Sequence, residues 1–225
     1  MEGKTDRRLI FLAIFAAIAI AVVAAILIGR SGGDDDSSTT ASAAGCEQVP
    51  APEPKQVSLK APKQTVKKGE KLTAVVDTSC GTFEIALDTT RAPKTTNSFV
   101  YLSRKGFYDG LAFHRIVPGF VIQGGDPLGN GTGGPGYSVD EKPPANLAYT
   151  KGIVAMAKSS AEPPGRSGSQ FYVVTGADAG LPPDYALVGK VSGGMDVVDR
   201  IGALGTPTEK PKQIVVIKKI TIENG

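Results

Sequence analysis

Phe113-His114-Arg115-Ile116-Val117-Pro118-Gly119-Phe120-Val121-Ile122-Gln123-Gly124-Gly125-Asp126 is the stretch on which the reading of this chain turns. It places an arginine and an amide on two short apolar runs separated by a Pro-Gly pair. Arg115 and Gln123 are strong hydrogen-bond donors in a segment otherwise composed for burial. Buried donors require partners, so either the fold or a ligand supplies them. Each residue also has a bland reading. A lone arginine on a strand is usually a surface charge or an ion-pair member. Phe120 alone would be a core residue, and Gln123 alone would satisfy a loop backbone. His114, the single histidine, neighbours Arg115 and therefore points to the opposite face of the strand. It reads as structural and not as a base.

Outward from this stretch, period-two patterns dominate from Leu72 on. Phe83, Ile85 and Leu87 alternate with Glu84 and Asp88 after a turn at Ser79-Cys80-Gly81. Further strand-like runs cover 112–117, 120–123, 152–158, 171–175, 186–191 and 213–223, the last changing phase at Lys218-Lys219 as at a bulge. Two helices fit between them. One covers 93–105, with proline at its start and Gly106 after its end. The other covers 195–201, with Val197, Val198 and Ile201 on one side. The fold class is mainly β, and periodicity alone leaves a barrel and a sandwich open.

Composition sets further bounds. The 225 residues carry a net charge of +3, too small for a nucleic-acid surface, so no nucleic-acid partner is expected. One histidine and two cysteines show no ligand-like spacing, so neither a metal nor a cofactor is expected. Residues 129–134 match G-x-G-x-x-G, but Pro135-Gly136 follow and no helix N-terminus is available for a pyrophosphate.

The N-terminal third reads differently. Residues 9–28 form an unbroken apolar run long enough to span a bilayer. Lys4, Arg7 and Arg8 precede it and Asp34-Asp35-Asp36 follow, which predicts a cytoplasmic N-terminus (1–8) and an extracytoplasmic remainder. The alternative is a cleaved signal peptide, whose apolar core is usually shorter. The expected location is the cell membrane, single-pass. Residues 29–70 are small, acidic, then rich in proline and lysine, and predict a disordered tether ahead of a domain at 71–225. Cys46 in the tether and Cys80 in the domain could pair outside the cytoplasm, closing a loop worth about 3–4 kcal/mol in the chain-entropy model; two independent thiols are the alternative.

Beyond the opening run come Lys105-Gly106-Phe107-Tyr108-Asp109-Gly110, Gly131-Thr132-Gly133-Gly134, Met156-Ala157, Gly168-Ser169-Gln170-Phe171-Tyr172 and Val188-Gly189-Lys190-Val191. Together these motifs closely resemble the cyclophilin-type peptidyl-prolyl cis-trans isomerases over about 150 residues, here as a membrane-anchored bacterial-like member. The resemblance implies a closed eight-stranded antiparallel barrel capped by two helices. It implies catalytic roles for Arg115, Phe120 and Gln123, and a substrate groove formed by Val121, Ala157, Lys158, Gln170, Tyr172, Leu181 and Tyr185. Lys158 stands where the family usually has asparagine, Tyr172 where it has phenylalanine, Gly180 where it has tryptophan and Tyr185 where it has histidine. The last two weaken the expected cyclosporin site more than the catalytic one. The implied partners are unfolded or loop polypeptides containing proline, with the membrane engaged through the N-terminal helix. Two other functions stay open: a module that binds proline peptides without efficient turnover, and a membrane-tethered holdase.

Overall fold

The structure is a computed structural model that describes residues 45–225. The expected cytoplasmic N-terminus, the transmembrane segment 9–28 and the first part of the tether lie outside the described residues. Among the described residues, no helix is long and apolar enough to cross a membrane.

The alternating residues of β1 (Leu72–Thr78) and β2 (Gly81–Leu87) form a hairpin through the expected turn, with Thr78 paired to Gly81. Phe83, Ile85 and Leu87 point inward. Helix α1 (Pro93–Arg104) starts at a proline whose missing N–H costs nothing there. No side chain of its own caps it. The Glu141 carboxylate, from a distant loop, instead accepts the Lys94 and Thr95 N–H groups at 3.1 and 2.7 Å, satisfying two of the orphan donors of the first turn. Next come β3 (Arg115–Val117), β4 (Val121–Gly124), β5 (Val139–Asp140), β6 (Ile153–Met156), β7 (Arg166–Ser167), β8 (Phe171–Val174), β9 (Leu187–Gly193), α2 (Met195–Gly202) and β10 (Ile217–Asn224).

Eight strands form one curled antiparallel sheet in the order β10-β1-β2-β9-β6-β8-β4-β3. The ladder is not closed, which corrects the expected closed barrel. The edge strands β3 and β10 do not pair as strands. Their seam is spanned by residues preceding β3 and by the start of β10 with the residues before it: a bridge between Ala112 and Val216 and backbone bonds Phe113 N–H to Val215 O (2.9 Å) and Ile217 N–H to Leu111 O (2.8 Å). β3 has three residues, too few to carry a continuous ladder across. The expected bulge is present: Asp77 faces Lys219 and Thr78 faces Ile217, leaving Lys218 as the extra residue. A second sheet, β5 with β7, has two residues per strand and left no periodicity to read. Arg166 clamps it by donating to both Asp140 oxygens at 2.8 and 2.9 Å.

The concave side of the sheet holds the main core. Phe99, Tyr108, Phe113 and Phe171 are fully buried there, with Phe99 and Tyr108 each packing edge-on against Phe171 at 5.5 Å between ring centres. A smaller apolar cluster, including Val121, Tyr149, Ala155, Tyr172 and Leu187, forms on the other face.

The described part of the expected tether is not free of the domain. Residues 45–70 contain no helix or long strand, as a proline-rich composition requires, yet they lie against the fold as a strap. Cys46 is disulfide-bonded to Cys80 and buried. The strap's N–H groups at Glu47, Lys55 and Leu59 donate to the carbonyls of Ser79, Pro127 and Pro135 at 2.7–2.8 Å. Near its end the buried Asn97 side chain accepts from Thr65 N–H (2.8 Å) and Val66 N–H (3.0 Å), and Val66 enters the core. Composition ruled out a core made by the strap itself. It did not rule out backbone bonding to a core made by others.

Candidate active site

Antiparallel register puts a row of residues side by side across five strands: Arg115 (β3), Gln123 (β4), Tyr172 (β8), Ala155 (β6) and Leu187 (β9). Neighbours two positions away share that face, so Val121 and Val174 join it. Ile116, Ile122 and Val173 point the other way, into the main core. The two faces of one short hairpin thus serve the core and the groove.

The polar half of the row is a chain of directed bonds. Arg115 Nε donates to Glu209 Oε2 at 2.7 Å and Arg115 Nη1 to Gln123 Oε1 at 3.2 Å. Gln123 Nε2 donates to Gln170 Oε1 at 3.0 Å. Gln170 Nε2 then bridges the Gly131 and Gly133 carbonyls at 3.0 and 2.9 Å. Arg115 Nη2 makes no hydrogen bond among the described residues. The hydrogen bond from Arg115, reinforced by its charge, holds the Glu209 carboxyl below its ordinary value.

The glycine loop at the end of this chain is organised from below. Asp126 is buried, and its carboxylate accepts the N–H groups of Leu128, Asn130 and Gly131. A Cβ on Gly133 would collide with that carboxylate, so no larger residue fits the turn. The loop runs on into no helix, which agrees with setting the dinucleotide pattern aside. Gln123, Gly131–Ser138, Ala157, Lys158, Ser159, Glu162 and Gly168–Gln170 line a groove of about 800 Å³.

The apolar half is built from rings. Val121 and Tyr172 are buried, while Phe120, Ala157, Leu181 and Tyr185 pack against them and stay partly exposed. Tyr172 and Tyr185 meet edge-on at 5.7 Å. Tyr149 fixes Tyr185 from beneath: its hydroxyl donates to Tyr185 O (2.6 Å) and accepts from Tyr185 N–H (2.9 Å). Burial, opposed by that backbone bond, pushes the Tyr149 hydroxyl up to about 12. The Tyr172 hydroxyl is buried without any hydrogen-bond partner, and burial raises its pKa far above the ordinary tyrosine value. Lys158 folds back at the junction of the two halves. Its ammonium reaches the carbonyls of Ser159 and Glu162 at 3.3 and 3.2 Å and sits 5.3 Å from the centre of the Tyr185 ring.

The sequence-derived residues therefore fall into two adjoining groups. Arg115, Gln123 and Gln170 are linked by hydrogen bonds; Phe120, Val121, Ala157, Tyr172, Leu181 and Tyr185 are linked by packing, with Lys158 between. Sequence reasoning passed over Tyr149 and Glu209. Tyr149 looks like any aromatic of the core, and Glu209 sits among prolines and lysines like a solvated charge. His114 is where expected, off this face. It lines a separate cavity of about 360 Å³ beneath the strap residues Ala51–Pro54.

The family profile for the cyclophilin type peptidyl-prolyl cis-trans isomerase/CLD matches residues 73–222. The chain belongs to this family. It is 40% identical over 174 residues to peptidyl-prolyl cis-trans isomerase B of Streptomyces anulatus, spanning 68% of this chain and 98% of that protein. It is 38% identical over 153 residues to peptidyl-prolyl cis-trans isomerase-like 1 of Gibberella zeae, spanning 66% and 93%. A crystal structure of a Cryptosporidium parvum cyclophilin type peptidyl-prolyl cis-trans isomerase, determined in the presence of the dipeptide Ala-Pro, superposes with a TM-score of 0.63 at 31% identity, covering 68% of this chain and 99% of the other. The isomerase activity of this cyclophilin is thus carried by the region from β1 to β10, and the strap is an addition at its N-terminal side.

Proposed function

We propose that this cyclophilin accelerates cis-trans exchange of X-Pro bonds by binding the twisted amide with Arg115, and that its clients are exported polypeptides met near a membrane. The observation that carries the arginine mechanism is the double restraint on that side chain. Glu209 engages Nε and Gln123 engages Nη1, while Nη2 keeps its donors unused.

Rotation of a peptide bond must break its partial double-bond character, against a barrier of roughly 18–20 kcal/mol. No covalent bond to the substrate has to form. Catalysis requires only that the twisted state be bound better than either planar one. As the bond twists, the proline nitrogen regains its lone pair and becomes an acceptor that the planar amide lacks. A fixed guanidinium donor is then matched to the transition state alone. Phe120, Leu181 and Tyr185, partly exposed around the buried Tyr172, suit an apolar pyrrolidine ring. The Gln123 amide, already engaged by Arg115 and Gln170, can hold the neighbouring backbone of the peptide. The Ala-Pro dipeptide used with the related C. parvum enzyme favours the same class of ligand here. Cyclosporin binding is proposed as weakened by Gly180 and Tyr185.

The export reading rests on sequence and on a disulfide. Residues 9–28 have the length and flanking charge of a single-pass anchor, and the Cys46–Cys80 bond suits an oxidising compartment. NMR exchange on an Ala-Pro peptide with the purified chain tests the activity; a rate equal to the uncatalysed one would favour a binding module instead. Accessibility of the domain to protease added outside intact cells tests the topology.

A further inference from the structure

Glu209 is the only described residue other than glycine with a positive φ, at +64°. A side chain with a Cβ is strained in that left-handed region, and Asn, Asp or Gly would be easier there. The strained backbone is held tightly. Glu209 N–H donates to Thr206 O (2.9 Å), closing a turn, and Glu209 O accepts the Ile116 N–H (2.8 Å) from the middle of β3. The Thr206 hydroxyl donates to Lys210 O at 2.7 Å and tightens the same turn. The loop also lies directly on β3: a Cβ on Gly205 would meet Ile116 O at 2.9 Å. This geometry throws the Glu209 carboxylate onto Arg115 Nε, across 94 residues of sequence.

We infer that Glu209 is a positioning residue for catalysis, which holds the Arg115 guanidinium in one pose so that its terminal nitrogens are presented to the substrate. The inference rests on the arginine mechanism proposed above. Arg115 needs such a partner for a physical reason. It sits on a three-residue edge strand and its side chain is 34% exposed. A long side chain in that setting samples many rotamers, and the ordering needed for catalysis would otherwise fall on each turnover. Gln123 restrains one end of the guanidinium only. Glu209 adds the second point that fixes the plane. The carboxylate takes Nε and Gln123 takes Nη1, so two nitrogens are fixed while Nη2, on the same edge as Nε, makes no hydrogen bond of its own.

Two substitutions separate this role from a structural one. Glu209→Asn suits the left-handed backbone and removes a carboxylate long enough to reach Nε. Glu209→Gln keeps the strain and the reach but removes the charge. For the full chain assayed by NMR exchange on an Ala-Pro peptide, Glu209→Asn should lower kcat by about tenfold with KM nearly unchanged and the melting temperature equal or higher. Glu209→Gln should lose less, roughly threefold, because its amide oxygen still accepts from Nε. In an Arg115→Ala background neither change should lower the residual rate further. Full activity in Glu209→Asn while Arg115→Ala is inactive would overturn the role of Glu209 and leave the arginine mechanism standing. Full activity in Arg115→Ala would overturn both. A higher kcat in either Glu209 variant would mean that the carboxylate restrains the arginine unproductively, and would also overturn it.

Discussion

The two halves of the groove are held by opposite means. On one side Glu209, Arg115, Gln123, Gln170 and the glycine loop form an unbroken sequence of directed hydrogen bonds between 2.7 and 3.2 Å. On the other, Phe120, Val121, Tyr172, Leu181 and Tyr185 are held by packing, and the one polar atom buried among them, the Tyr172 hydroxyl, has no partner. Hydrogen bonds fix direction, which a transition-state donor requires. Packing fixes shape, which suffices for a ring that barely changes as the bond turns. The division predicts that damage to the polar half appears in turnover and damage to the apolar half in binding.

The largest expected effect follows from removing the directed donor. Arg115→Ala should lower kcat/KM by about 100-fold or more, with little change in stability because the ion pair it breaks is exposed. Peptide affinity measured by NMR titration should fall far less. A comparable loss in both would erase the distinction between the halves. Phe120→Ala comes next. It should cost roughly tenfold in kcat/KM, expressed mainly as a higher KM; a pure loss of kcat would place the ring in the chemistry and not in the pocket wall.

A smaller effect is expected at Tyr172. Replacing it with phenylalanine removes a buried hydroxyl that bonds to nothing, so the fold should gain about 1 kcal/mol by thermal denaturation while kcat/KM changes less than about threefold. A loss of stability would mean that the hydroxyl has a partner in solution. The smallest effect concerns His114, which immediately precedes Arg115 and β3 but lines the cavity under the strap. Burial, opposed by the nearby Asp126, lowers its pKa below 6.5. Its neutral form is therefore favoured by folding. The stability it contributes is complete above that value and declines as pH falls below it, since the unfolded chain then binds the extra proton. His114→Gln should flatten the fall in melting temperature below about pH 6.5 without altering kcat. A matching fall in kcat would link the two faces of the strand.

Legibility followed sequence distance. Arg115, Phe120, Val121 and Gln123 lie on one hairpin, where a contiguous run fixes spacing and side, so their grouping could be read directly. Gln170 and Tyr172 were legible because Gly168-Ser169-Gln170-Phe171-Tyr172 is itself a motif. Glu209 was not, because its reach to Arg115 depends on a turn conformation that glutamate rarely adopts. The open seam was equally hidden, since it turns on which three residues of 111–117 satisfy ladder geometry. The strap escaped because proline and lysine content reports on self-burial, whereas its attachment uses main-chain groups that every residue but proline carries.

The strap also decides how the molecule would respond to a pull. Tension on the chain ahead of Cys46 would pass through the covalent link to Cys80 and enter the sheet at the β1–β2 turn. From there β9, β6 and β8 separate β2 from β4 in the ladder. A domain hauled from its N-terminal side would transmit that load into its most extensively laddered strands, and the short hairpin bearing Arg115 would be spared.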